Sequence, residues 1–244
     1  MMIPLMIGTK MMSQTQIIAH RGFWKTEPVT SQNSIQALKN AQSIAIYGTE
    51  LDVHMSKDGV LVVNHDHDIN KVTIADTSYK KLKKQFLKNG ESIPTLKKYL
   101  KQGKKVQSLK LIVELKTPHD KGTYKALVQK TLKMVKKFNV EDQVEYIAFS
   151  IDICKLIKEI NPQAKVQYLN GDLSPKEIMR LGIDGIDYHY SVFLEKQPSW
   201  LKEAKDLGII TNSWTVNSKE IYDRLKSQNI DFVTTDIPDH LLKN

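Results

Sequence analysis

Apolar, β-branched runs recur along the chain at 17–19, 49–53, 111–115, 144–149, 166–169, 185–188, 209–216 and 232–234. Runs this short, bounded by polar residues, read as buried strands. Between most of them the apolar period changes to that of a helix, at 34–43, 124–138, 153–160, 175–181, 198–207 and 219–228. Gly122, Gly182 and Gly208 stand where these helices begin or end. Strands alternating with helices imply βαβ units. Eight units in 244 residues suit a (β/α)8 barrel, with a doubly wound open sheet as the structural alternative.

One stretch breaks the alternation. The run at 60–65 follows the second strand after only Ser56-Lys57-Asp58-Gly59. That is too short for a parallel crossover, and Asp-Gly between apolar runs signals a β-hairpin. A two-residue loop sets Asp52 opposite His65 and Glu50 opposite His67. A three-residue loop shifts the register by one and sets Asn64 and Asp66 there instead. Val60-Leu61-Val62-Val63 does not alternate, so it does not choose. Residues 66–108 then read as a largely helical, basic insertion. Residues 1–16 read as an N-terminal arm, with disorder expected there, and 17–244 as one barrel domain. The apolar stretch 3–8 is broken by Pro4 and lacks both a basic flank and a long apolar segment. It does not read as a signal peptide, and is expected to be either a remnant of one or a plain arm. The compartment stays open: the sequence as given leads to the expectation of a cytoplasmic protein, and a removed leader to a periplasmic or secreted one.

Composition narrows the function. Apolar residues make up 41% and charged residues 26%, which excludes disorder throughout. No apolar run reaches the ~18–20 residues that span a bilayer. Cys154 is the sole cysteine, so there is neither an intrachain disulfide nor a cysteine-rich zinc site. The net charge is +9, almost all of it lysine; arginine occurs only at 21, 180 and 224. The lysines fall at helical spacing among leucines and tyrosines, which reads as solvated helix faces rather than a nucleic-acid surface.

In such a barrel, chemistry belongs at the carboxyl ends of the strands. There stand His20-Arg21-Gly22, Glu50-Leu51-Asp52, His65-Asp66-His67-Asp68 and Glu114-Leu115-Lys116. Glu50 and Asp52, two apart, point to one face of a strand. Two carboxylates there repel unless a cation or proton lies between them. Three carboxylates without cysteine suit a hard divalent ion, Mg²⁺ or Ca²⁺. The competing reading is a set of salt bridges at the barrel mouth.

The order Ala19-His20-Arg21-Gly22, Gln32-Asn33-Ser34, Glu50-Leu51-Asp52-Val53, Asp58-Gly59 and Val62-Val63-Asn64-His65-Asp66 resembles the glycerophosphodiester phosphodiesterase family. Val113-Glu114-Leu115-Lys116, Ala148-Phe149-Ser150, Ser213-Trp214-Thr215-Val216-Asn217 and Thr234-Thr235-Asp236-Ile237-Pro238 continue it, so that it spans about 17–240. The resemblance implies a metal-dependent barrel with a small insertion. It implies Glu50, Asp52 and Glu114 as ligands of one divalent metal ion. It makes His20 and His65 the acid–base pair, Arg21 and Lys116 the phosphate-binding residues, and Trp214 a wall of the alcohol pocket. It also selects His65 over His67, with Asp66 pointing away. Where the family commonly has Glu-Asn-Thr, this chain has Gln32-Asn33-Ser34, one carboxylate fewer. The activity implied is hydrolysis of glycerophosphodiesters to glycerol phosphate and an alcohol, with a small-molecule substrate and no nucleic-acid partner. The rivals are a phospholipase C- or D-like lipid phosphodiesterase and a non-catalytic phosphate-ligand binding protein.

Overall fold

The computed structural model describes residues 14–243. The N-terminal arm therefore lies, up to residue 13, outside the described residues. The chain opens with β1 (Gln16–Ala19), α1 (Ile35–Gln42) and β2 (Gly48–Met55), and turns back through β3 (Leu61–Val63). A small ladder of β4 (Asp68–Ile69) and β5 (Val72–Thr73), one turn of α2 (Tyr79–Leu82) and α3 (Leu96–Gly103) lead to β6 (Lys110–Leu115). Then α4 (Tyr124–Phe138), β7 (Val144–Ala148), α5 (Ile151–Ile160), β8 (Val166–Tyr168), α6 (Pro175–Arg180) and β9 (Gly185–His189) alternate. They are followed by α7 (Trp200–Leu207), β10 (Ile210–Trp214), α8 (Lys219–Ser227), β11 (Phe232–Thr235) and α9 (Pro238–Leu242).

β1, β2, β6, β7, β8, β9, β10 and β11 pair in parallel in that order, and β11 pairs with β1. The sheet is closed, so the fold is the (β/α)8 barrel. Helix starts carry the residues that satisfy free amides: Ser34, Thr95, Ser150, Ser174 and Ser218 each accept from a first-turn N–H. The main core lies between barrel and helices, where Leu38, Leu96, Tyr99, Leu100, Leu127 and Val128 bury against Leu51, Leu111 and Val113. Inside the barrel, Ile18, Ile112, Ile147 and Leu169 form a separate apolar plug. Because side chains alternate along a strand, the inward positions above that plug are His20, Asp52, Glu114, Trp214 and Asp236.

Two features differ from the expectation. Ser56 N–H donates to Val60 O and Gly59 N–H to Ser56 O, so the hairpin loop has three residues, with Gly59 at φ +77°. Val53 then pairs with Val63, and Asn64, not His65, donates to the Asp52 carbonyl. The two-residue register is thus replaced by its alternative, and His65 lies just past the ladder. The segment after it also holds less helix than its lysine and leucine spacing suggests. It has the β4–β5 ladder, the four-residue α2 and loops around a small core of Val62, Ile69, Ile74, Leu82 and Ile93. Leu96, Tyr99 and Leu100 of α3 join the main core, because their period faces α1 and β3.

Candidate active site

The loop after β1 supplies the first residues. Arg21 takes a left-handed φ of 54°, and Gly22 follows at +85°. A Cβ on Gly22 would lie 2.6 Å from that of Ala37, so glycine lets the chain bend over α1. The bend points the Arg21 backbone N–H at Glu50 Oε2, 2.8 Å away, while Nη1 donates to Gln32 Oε1 at 2.8 Å. Asn33, also left-handed at φ 59°, clamps Asp52. Its Nδ2 donates to Asp52 Oδ2 at 2.7 Å, and its Oδ1 accepts from the Asp52 N–H at 3.1 Å.

Glu50, Asp52 and Glu114 are all buried, and each turns one oxygen to a common point, the three atoms lying within 4.8 Å of one another. Lys116 Nζ sits against them, 2.8 Å from Glu114 Oε1 and 3.3 Å from Asp52 Oδ1. Glu50 Oε1 is buried with no hydrogen bond. Burial first, then repulsion from Asp52 and Glu114, pushes the Glu50 carboxyl well above its usual range. Burial and Asp52 push Glu114 up to about 7. Burial also acts upward on Asp52, but Lys116, His65, the Asn33 bond and Arg21 outweigh it and hold Asp52 low. Two carboxyls forced toward their neutral form around an unpartnered oxygen fit a site for a divalent cation.

Both predicted histidines reach this centre with the same ring nitrogen engaged. His20 Nδ1 lies 2.7 Å from Asp236 Oδ1, and His65 Nδ1 lies 2.7 Å from Asp66 Oδ1. In each ring Nε2 is the nitrogen not engaged by the carboxylate. Asp66, expected to point away, is exposed yet turns its carboxylate back onto His65. Burial lowers the His65 pKa despite the attraction of Asp52, favouring a neutral ring. Asp236 is held in turn by Asn217 Nδ2 at 2.8 Å and Trp24 Nε1 at 3.3 Å, with Lys25 3.4 Å away. Burial acts upward on Asp236, but the His20 bond and charge, Asn217 and Lys25 hold it far below the ordinary range, so it is ionised. Trp214 stands on the opposite rim. Its Nε1 donates to Asp187 O at 2.9 Å, and it meets Phe149 and His189 edge to face at 5.7 and 5.3 Å.

All eight predicted residues therefore lie at one end of the barrel, seven of them in or beside one polar cluster and Trp214 across the mouth. Sequence reasoning did not single out the roles of Asn33, Asp236, Asn217 or His54. The first three fell inside quoted motifs, so their positions were visible but their partners were not. His54 follows Asp52 by two on the same face and is buried, with its pKa pushed by burial down to about 4; its Nε2 meets His65 O at 3.2 Å. His67, expected to be secondary, packs between His54 and His119, with ring centres 5.0 and 4.8 Å away.

A closed (β/α)8 barrel with three convergent buried carboxylates, two carboxylate-held histidines and a lysine–arginine pair at the carboxyl ends of its strands defines a hydrolase built for an anionic phosphoester. Comparison with known proteins gives the family. The model of the Glycerophosphoryl diester phosphodiesterase family matches residues 20–240, and the chain belongs to that family of phosphoric diester hydrolases. It is 28% identical to the glycerophosphodiester phosphodiesterase of Caldanaerobacter subterraneus, over 94% of this chain and 97% of that one. Among solved structures, a glycerophosphodiester phosphodiesterase from Parabacteroides distasonis superposes with a TM-score of 0.92 at 42% identity, covering 95% of this chain and 96% of that one. A phosphodiesterase from Oleispira antarctica, solved with its product sn-glycerol-3-phosphate, shares the fold, with a TM-score of 0.81 at 24% identity over 94% and 96% of the two chains. Among the described residues no helix is long and apolar enough to cross a membrane.

Proposed function

We propose that the chain hydrolyses glycerophosphodiesters to glycerol phosphate and an alcohol, with one Mg²⁺ or Ca²⁺ held by Glu50, Asp52 and Glu114. In this reading residues 17–244 act as one catalytic unit. The observation that carries it is the unpartnered Glu50 oxygen among three buried carboxylates, flanked by two histidines that each have Nδ1 occupied. When bound, the ion supplies positive charge that neutralises the carboxylates and the phosphodiester. The product bound to the Oleispira relative fits this substrate class.

The chain's own groups do the rest. Lys116 stays protonated: burial acts to lower its pKa, but Glu114 and Asp52 outweigh this. It and Arg21 place fixed positive charge where a phosphoryl group gains negative charge. Gln32 anchors one Arg21 nitrogen without neutralising the guanidinium. One histidine takes a proton at Nε2 from the attacking water as its oxygen bonds to phosphorus, and the other delivers a proton from Nε2 to the alkoxide that leaves as the alcohol. Each transfer is worth roughly 10²–10⁴ in rate. Asp236 fixes the His20 ring and keeps its negative charge beside the imidazolium that forms, as the carboxylate of a catalytic triad does. Trp214, fixed by its bond to the Asp187 carbonyl, gives glycerol carbons an apolar wall with Phe149 beside it.

The test is a panel of glycerophosphodiesters and lysolipids assayed alongside calorimetric titration of Mg²⁺ and Ca²⁺. One ion per chain, lost in Glu50→Gln, with turnover of the deacylated diesters, supports the reading. Turnover without any bound ion contradicts it.

A further inference from the structure

The positive charge of this chain is concentrated. Residues 66–108 hold eleven lysines, no arginine and four acidic residues, a net +7 of the chain's +9. All eleven lysines are exposed. Elsewhere Lys121, Lys158, Lys165, Lys202 and Lys219 meet carboxylates, whereas among the described residues none of these eleven forms an ion pair. These lysines are therefore uncompensated positive charge rather than a lattice of salt bridges, and Lys80, Lys81, Lys83, Lys84 and Lys88 gather it at the tip of the insertion.

A large apolar side chain stands in the middle of it. Phe86, in Lys83-Lys84-Gln85-Phe86-Leu87-Lys88, is 59% exposed. A core lies within reach, since Leu82 and Leu87 on either side turn into the cluster of Ile69, Ile74 and Ile93. Phe86 does not follow them. Its backbone is held outward, with Phe86 O accepting from Asn70 Nδ2 at 3.2 Å and a bridge to Ser92.

The same tip is tied to the barrel mouth. The Asn89 N–H donates to Ser31 Oγ at 2.9 Å, and Asn89 Nδ2 to Thr30 Oγ1 at 3.0 Å. The Glu91 carboxylate accepts from the amides of Ile35 and Gln36 at 3.0 and 3.1 Å. These residues belong to the loop and helix that begin with His20 and Arg21, and Val29 in that loop is 64% exposed. A lysine field carrying exposed apolar side chains thus borders the site.

We propose that this face docks the protein onto an anionic lipid bilayer, with Lys80, Lys81, Lys83, Lys84 and Lys88 at the headgroups and Phe86 among them. An anionic leaflet attracts lysines without needing directed bonds, and its acyl boundary takes up an aromatic ring. A nucleic acid uses the lysines but leaves Phe86 in water, and the absence of arginine removes the bidentate fork that specific phosphate recognition favours. The proposal does not depend on the reaction. It has a consequence for it, because a glycerophosphodiester is a phospholipid stripped of its acyl chains, and the deacylation that supplies it takes place at that surface.

Co-sedimentation with vesicles tests this. Vesicles of mixed phosphatidylglycerol and phosphatidylcholine, and of phosphatidylcholine alone, are titrated at low and high salt. The proteins are the wild type, the quadruple variant Lys80→Gln, Lys81→Gln, Lys83→Gln, Lys84→Gln, and Phe86→Ser. The wild type binds the anionic vesicles and not the zwitterionic ones, and loses binding as salt rises. Each lysine is worth about fivefold in partition, so the quadruple variant loses at least about a hundredfold. Phe86→Ser loses roughly tenfold. Both variants turn over a soluble phosphodiester at the wild-type rate. Absence of binding to anionic vesicles at low salt overturns the proposal, as does a quadruple variant that binds like the wild type. Binding that Phe86→Ser leaves unchanged, and that duplex DNA displaces, makes the face a general polyanion surface and overturns the lipid assignment.

Discussion

Glu50→Gln is expected to abolish metal binding and yet stabilise the metal-free protein. Glu50 Oε2 accepts from the Arg21 N–H, which a glutamine oxygen can also do. Its Oε1 has no partner, and an amide NH₂ in its place can donate to Asp52 or Glu114. The scale comes from the neighbouring carboxyl. Glu114 is raised from 4.5 to about 7, mainly by burial and by Asp52. At ~1.36 kcal/mol per unit, ionising such a group in the folded state costs about 3 kcal/mol. Glu50 is shifted in the same direction. The folded-state pKa lies above the unfolded one, so the folded chain holds the extra proton between them. The stability this gives is full below the unfolded value and is lost as pH rises through the folded one. Removing the Glu50 charge therefore stabilises the chelated protein at about pH 8, where the wild type pays to ionise it, and by little at about pH 5. For a chain of this size each kcal/mol gained is a rise in Tm of roughly 2–4 °C. Thermal melts in chelator at the two pH values measure it, and repeat melts with Mg²⁺ or Ca²⁺ should raise the wild type alone. A Glu50→Gln protein that melts below the wild type at about pH 8 in chelator, or by the same margin at both pH values, refutes the reasoning.

Other substitutions separate the roles of the remaining residues. His20→Ala and His65→Ala should each lower kcat by roughly 10²–10⁴ with unchanged melting. His67→Ala should lose far less, and the double variant should lose less than the sum, as steady-state kinetics will show. Asp236→Asn should lower kcat while calorimetry finds Mg²⁺ or Ca²⁺ affinity unchanged, because Asp236 bonds His20 and not the carboxylate cluster. Gln32→Glu puts a carboxylate on Arg21 Nη1 and should raise KM for the anionic substrate more than it lowers kcat. Trp214→Ala should raise KM or reorder the preferred diesters at constant metal affinity, and a loss of folding alone would assign it to the core.

The barrel was legible because each strand is a compact apolar run and each helix an unbroken period, and these signals are local. Clustering of the site was legible too, since Glu50–Asp52 and Glu114–Lys116 carry charge in strands that otherwise read as buried. The hairpin register was not. Val60-Leu61-Val62-Val63 is buried or half-buried throughout, so no polar face declares itself, and the outcome rests on Gly59 adopting a left-handed φ. The partner of His20 was hidden for another reason: Asp236 lies 216 residues away and meets it only because β11 closes the barrel beside β1. Asn33 was visible only as the middle of Gln32-Asn33-Ser34, and becomes a clamp on Asp52 only once α1 packs behind Gly22. The basic insertion misled on helix content, because lysine and leucine spacing alone does not distinguish a helix from the loops that wrap a five-residue core.

The most direct test follows sn-glycero-3-phosphodiesters by phosphorus NMR, with the purified protein in Mg²⁺ or Ca²⁺ and again after chelation. Loss of the diester resonance, growth of a glycerol phosphate monoester with release of the free alcohol, arrest on chelation and recovery on restoring the ion are the predicted result. An unchanged diester with the ion saturating, or undiminished turnover in chelator, would contradict a metal-dependent phosphodiesterase centred on Glu50, Asp52 and Glu114.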